Sequence, residues 1–176
     1  MKTTKTIIAW MEDKPGVLAR VASMIRRRNY NVVSLAVAPT ETPAISRMTA
    51  VLECDASQEK LVGMQLRKLV NVTNVVTDLT PDKAIFRELA LIKVNADASK
   101  RSEVIHLAEV FRGQVVDVGP QTLTIEATGT QDKIDSLIEL LQPFGVREVA
   151  RTGPVAMLRG AANGRGISGN GRKAEG

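Results

Sequence analysis

Twice along this 176-residue chain the spacing of apolar residues switches between a period of two and a period near 3.6, in the same order each time. That recurrence limits the possible folds more than any composition figure does. The first pass opens with Ile7, Ile8, Ala9, Trp10 and Met11, turns at Glu12–Gly16 and continues as a helix over 17–28. Asn29-Tyr30-Asn31 breaks that helix, with Asn29 where a left-handed C-cap belongs, a conformation Asn tolerates second only to Gly. Residues 32–38 are rich in β-branched side chains and read as a strand, and Pro39-Thr40-Glu41-Thr42-Pro43 is a loop by composition. Across 46–53, Met48, Ala50 and Leu52 alternate with Arg47, Thr49 and Val51, as in a partner strand. Ser57 is the expected cap of a second helix, whose Val62, Leu66 and Leu69 fall at i, i+4 and i+7. A strand over 72–79 closes the pass.

The second pass begins with a strand over 89–94. Ser99 is the expected cap of a helix with Val104, Leu107, Ala108 and Phe111 on one face. Val115, Val116 and Val118 form a strand that Gly119-Pro120 turns, and Leu123, Ile125 and Ala127 then alternate with Thr122, Thr124 and Glu126. Thr130 introduces a helix carrying Ile134, Leu137, Ile138 and Leu141, and 146–151 is the last strand. Strand, helix, strand, strand, helix, strand is the split βαβ arrangement. The expected class is therefore α+β, with two tandem ferredoxin-like βαββαβ domains. Their expected bounds are 1–80 and 86–158, with a linker at 81–85 and a Gly-rich disordered tail at 159–176 that lacks apolar periodicity. The resemblance of VASMI (Val21–Ile25) to LAEVF (Leu107–Phe111), each followed by a break and a Val-Val pair, points to duplication.

Several function classes are disfavoured by what the chain lacks. Aromatics are 3%, so the interior must be built from aliphatic residues, and neither 32–38 nor 46–53 offers the stacking rings an RNA-binding domain of this topology uses. From Arg159 on, four bases against one acid account for three of the five net positive charges, so the basicity belongs to the tail rather than to a nucleic-acid face. No apolar run approaches the ~20 residues of a membrane span. The N-terminal MKTTKTIIAWMED meets acids too soon for a signal peptide, and a cytoplasmic protein is expected. Cys54 and His106 are the sole residues of their kinds, so no internal disulfide or Cys-based zinc site is expected. A His-Cys nucleophile pair would lack its orienting third group, and no catalytic site is expected in this chain.

The turn EDKPG, Glu12–Gly16, carries the most chemistry. Pro15 suits the first helical position, Gly16 admits close approach, and the first helical N–H groups point outward at the positive end of the dipole. That arrangement can receive a carboxylate. Turns of this composition also occur merely as turns, with Asp13 and Asn31 as backbone caps, and the residues alone leave both readings open. Arg26, Arg27 and Arg28 suit a helix C-terminus. Arg47 reads either as a solvated strand charge or as a partner contact, and Trp10 and Tyr30 as packing.

EDKPGVLARVA, NYNVVSLAVAPTETPAISRMT, FRELALIKV, IHLAEVFRGQVVDV and REVARTG, in that order, resemble the small regulatory subunit of acetolactate synthase (acetohydroxyacid synthase) from Lys5 to Gly160. The resemblance implies an N-terminal ACT domain, a C-terminal ACT-like domain and no active site or cofactor here. It also implies a large catalytic subunit carrying thiamine diphosphate, a divalent metal (Mg) and FAD, which condenses pyruvate into acetolactate for branched-chain amino-acid synthesis. The small subunit would activate that partner and confer feedback inhibition, usually by valine. In such ACT domains an amino acid sits where two copies pair. Carried over residue by residue, the turn side is Asp13, Gly16, Val17 and Leu18, and the facing side is Asn31 and Val32. The Val17 and Leu18 N–H groups would take the carboxylate, and the side chains of Asp13 and Asn31 would bond the ammonium or each other, with Leu35 and Ala38 as apolar walls. Two positions depart from the pattern: Asp13, where several relatives carry Asn, and Asn29, where Gly is usual. The rival reading is a stand-alone amino-acid sensor controlling transcription or another enzyme, since this architecture serves many functions.

Overall fold

The computed structural model describes residues 3–160. Along the chain lie β1 (Thr3–Glu12), α1 (Val17–Arg27), β2 (Asn31–Pro39), β3 (Ile45–Cys54), α2 (Ala56–Arg67) and β4 (Val72–Val76). They are followed by β5 (Ala84–Asn95), α3 (Arg101–Val110), β6 (Gln114–Val118), β7 (Thr122–Gly129), α4 (Gln131–Leu141), β8 (Val146–Arg151) and β9 (Val155–Leu158). The chain forms two compact units, one of residues up to Ile85 together with those from Ala156, the other of Phe86–Val155. Both have the expected α+β, ferredoxin-like form.

In the first unit an antiparallel sheet runs β2-β3-β1-β4. Strand alternation sends Ile7, Ala9, Met11, Met48, Ala50, Leu52 and Cys54 into one core with Val17, Val21, Met24 and Ile25 of α1 and Val62 and Leu66 of α2. Each large aliphatic side chain fully buried there contributes about 1.5–3 kcal/mol. The cap of α2 is Asp55 rather than Ser57. Its Oδ1 accepts from the Ser57 and Gln58 N–H groups, both at 2.8 Å, while Gln58 Oε1 accepts from the Asp55 N–H. The Ser57 hydroxyl instead donates to that carboxylate at 2.6 Å. β4 ends at Val76, short of residue 79, because Asp78 turns left-handed (φ 59°) and its N–H donates to the buried Glu59 carboxylate at 2.6 Å.

In the second unit the strand order is β6-β7-β5-β8. Ala90, Ile92, Val94, Leu123, Ile125 and Ala127 meet Val104, Ala108, Ile134, Leu137 and Leu141 in its core. β5 starts at Ala84, five residues before the expected strand, and β9 was not expected at all. Asp97, not Ser99, supplies the side-chain oxygen before α3, and Thr130 stands at the N-cap of α4 without a side-chain bond. The buried Glu88 carboxylate pairs with Arg151, which also reaches Asp135 at 2.5 Å. Arg159 is tied to Lys83, its N–H donating to that carbonyl at 2.9 Å, whereas the expected tail from residue 161 lies outside the described residues.

The units repeat one plan at a constant offset of 83 positions over their first two strands and helix. Left-handed Asn29 (φ 57°) ends α1 as left-handed Arg112 (φ 55°) ends α3. The ladder slips between Trp10 and Met11 and again between Lys93 and Val94, and between Val32 and Ser34 as between Val115 and Asp117. The equivalent of VASMI is thus VIHLA (Val104–Ala108), and the LAEVF echo is three residues out of register.

Candidate effector site

The turn after β1 is tied down on the side away from β2. The Glu12 N–H donates to the Asn71 carbonyl (2.9 Å), and its carboxylate accepts from Asn71 Nδ2 (2.6 Å) and Lys14 Nζ (3.0 Å). The Asn71 amide and then Lys14 hold this carboxyl below its ordinary range. The Asp13 N–H donates to the Ala44 carbonyl at 2.8 Å. α1 starts at Val17 with Gly16 as N-cap, so Pro15 precedes the helix instead of opening it. Gly16 is left-handed (φ 84°), which explains glycine there, and nothing lies within 4 Å of where a Cβ would stand. Val17 donates to the Lys14 carbonyl over a long 3.3 Å, and Arg20 to the Gly16 carbonyl at 3.1 Å. The N–H groups of Gly16, Leu18 and Ala19 donate to no protein group among the described residues, and no side chain caps the helix. Unpaired donors at a dipole's positive end beside a Cβ-free position suit a small anion.

From Leu18 a mostly apolar cleft of about 250 Å³ runs along α1 toward β2, lined by Val21, Ala22, Ile25, Tyr30, Val32 and Leu35, with Arg26 as its one charged residue. Of the six sequence-derived site residues, Leu18 and Val32 line it. Val17 is buried and anchors the helix, while Asp13, Gly16 and Asn31 are exposed at its rim elements. Asp13 and Asn31 have no side-chain bond to each other. Leu35 forms a wall as expected; Ala38 does not. The helical wall of Val21, Ala22 and Ile25 was missed, although with Leu18 it follows the i, i+3, i+4, i+7 spacing of one helix face.

β2 is an edge strand, bonded to β3 alone in its sheet, and presents half-exposed Val33 with Leu35 and Val37. An apolar edge with free ladder groups is a template for another strand. Arg47 is not a solvated charge: its guanidinium lies 5.3 Å over the Trp10 ring and donates to the Ala156 carbonyl. Cys54 is buried, which pushes its thiol up, and among the described residues no cluster of His, Cys, Asp and Glu could hold a metal.

A family model described as the AHAS small subunit-like ACT domain matches residues 7–74, and one described as the small subunit of acetolactate synthase matches 87–160. The chain belongs to the acetolactate synthase small-subunit family. The acetolactate synthase small subunit of Mycolicibacterium smegmatis is 48% identical over 157 residues, covering 89% of this chain and 92% of that one. A probable acetolactate synthase small subunit of Methanothermobacter thermautotrophicus is 46% identical over 159 residues, 90% and 94% of the two chains. The crystal structure of the Thermotoga maritima small subunit matches with a TM-score of 0.84 at 37% identity, over 91% of this chain and 99% of that one. Membership of the small-subunit family fits the two ferredoxin-like units and implies a catalytic subunit as partner. No helix among the described residues is long and apolar enough to cross a membrane.

Proposed function

We propose that this chain is the regulatory subunit of a cytoplasmic acetolactate synthase, which activates the catalytic subunit and makes it sensitive to valine or a related branched-chain amino acid. The reading rests on unpaired amides at the start of α1, beside open Gly16, facing an apolar cleft bounded by an unpaired strand edge. Two chains pair through β2. The Leu18 and Ala19 N–H groups take the effector carboxylate, and Asp13 and the partner copy's β2 take its ammonium group. Asn31 and Val32 are the residues at that edge, and the aliphatic walls favour a small branched side chain over a charged one. Val17 contributes its buried side chain, since its N–H already serves Lys14. Thiamine diphosphate, Mg and FAD belong to the partner. Bound effector shifts the complex toward a less active arrangement, by no more than its affinities for the two arrangements differ.

The test is reconstitution. Adding this chain to the catalytic subunit should raise acetolactate formation, and valine should reverse the gain, while sedimentation of the chain alone shows a dimer. A chain that neither binds nor accelerates a thiamine-dependent synthase is not its regulatory subunit.

A further inference from the structure

Outside the tail the chain is nearly neutral in sum, but its helix charges are divided between the units rather than mixed within them. α1 and α2 together carry five bases and one acid, and that acid, Glu59, is buried with its carboxylate accepting from the Asp78 N–H. α3 and α4 together carry two bases and five acids. The division follows the repeat. At the 83-residue offset Arg20 corresponds to Glu103 and Arg26 to Glu109. With the N-caps Asp55 and Thr130 aligned, buried Val62 and Leu66 fall on buried Leu137 and Leu141, and Lys60 falls on Asp135. All six of these charged side chains are exposed. Among the described residues no base of α1 or α2 is in an ion pair, and of the five acids only Asp135 is, with Arg151. Apolar groups accompany both faces. Beside α1 a groove of about 190 Å³ is lined by five aliphatic residues together with Arg20, Lys68 and Asn71, and one of the five, Val70, is 94% exposed. Met64 is exposed on α2, Val110 on α3 and Leu140 on α4.

We infer that the α1–α2 face of one copy docks on the α3–α4 face of a second copy, the bases of the first meeting the acids of the second. Exposed apolar side chains among unpaired charges of one sign suit a partner of the opposite sign. The chain itself carries that partner, with the sign inverted at matching helix positions. Two like faces would set base against base or acid against acid, so complementarity selects the opposite unit. The contact is heterologous, joining different surfaces of the two copies. It uses outer helix faces and not the β2 edge, and it stands apart from the effector reading.

Sedimentation of the full chain tests it. Charge pairing at an exposed surface is screened as salt shortens the Debye length from about 30 Å at 0.01 M to about 3 Å at 1 M. The wild type should therefore form a species of at least about twice the mass at the low end of that range than at the high end. Two variants then separate this contact from any other salt-sensitive one. Arg20→Glu with Lys60→Glu alters only the first face, and Glu103→Arg with Glu109→Arg alters only the second; each should weaken association at low salt by at least about tenfold. Mixed in equal amounts, the two variants should recover a heavier species containing both, because their unaltered faces complement each other. A wild-type mass independent of salt, a folded variant that associates like the wild type, or a mixture no heavier than its components would overturn the inference. So would a wild type of constant mass whose Arg20→Glu, Lys60→Glu variant loses affinity for the catalytic subunit, since the face then belongs to that partner.

Discussion

Gly16→Asp puts a carboxylate at the one open, Cβ-free position beside the unpaired amides of α1. No atom lies within 4 Å of the new Cβ, so the substitution creates no clash, but the left-handed φ of 84° costs a non-glycine residue about 1–2 kcal/mol. For a chain of this size that lowers Tm by roughly 2–8 °C, leaving the fold intact. The effect on an effector carboxylate is larger. Two like charges about 5 Å apart repel by about 3 kcal/mol at an effective dielectric of 20, screened to about half at this exposed turn. The new side chain also competes for the Leu18 and Ala19 donors, where a lost charge-assisted bond is worth about 1.5–3 kcal/mol. Together the loss is about 3–4.5 kcal/mol, or roughly a hundred- to two-thousandfold in effector affinity. The assay is acetolactate formation by the reconstituted synthase over a valine titration, with the activation constant measured separately. Inhibition should disappear while activation survives. Gly16→Ala carries the same backbone strain without the charge and should change valine affinity less than about fivefold. A Gly16→Asp protein inhibited at wild-type valine concentrations would refute the site, and an alanine variant equally insensitive would refute the electrostatic reasoning.

Three further outcomes follow from the packing. Arg47→Met removes the bond to the Ala156 carbonyl and the guanidinium over Trp10, and should lower the unfolding free energy in urea by about 1.5–3 kcal/mol. Fluorescence of Trp10, the sole tryptophan, should change with it. Gly145→Ala must hold φ at 90° with its Cβ 2.5 Å from Asn95 Nδ2, so it should cost about 1–3 kcal/mol in the same assay. Asp55 and Asp97 titrate below the ordinary 3.8 when folded, each held first by a serine hydroxyl. The unfolded chain therefore takes up protons first as pH falls, and the stability these caps add is complete well above pH 3.8 and lost as pH drops through the lower folded values. Replacing both with Asn, which caps comparably, should flatten the acid limb of a Tm-versus-pH curve between pH 6 and 3.

Alternation and helical spacing carried the element order because both report which face is buried, and burial of Met48, Ala50 and Leu52 or of Ile134, Leu137 and Leu141 is what the fold enforces. Caps were less legible. Ser57 and Ser99 each follow an aspartate by two residues, and the charged carboxylate upstream reaches the N–H groups at the helix start while the serine hydroxyl braces it. β9 escaped notice because Val155–Leu158 is too short to display a period. At the candidate site the sequence pointed to the turn and to Leu18 and Val32. It could not reveal that Gly16 stands in the left-handed region, that Val17 spends its N–H on Lys14, or that Ala19 offers a free donor, since those depend on where the first helical turn closes.

The constant 83-residue register has a practical consequence for engineering. Residues 12–34 and 95–117 begin at the ends of matching strands, leave their helices through matching left-handed exits and enter matching edge strands with the same ladder slip. They are segments of equal length in matching backbone positions. Transplanting the first into the place of the second would need no insertion or deletion, and would ask directly whether the α1 turn carries effector binding with it.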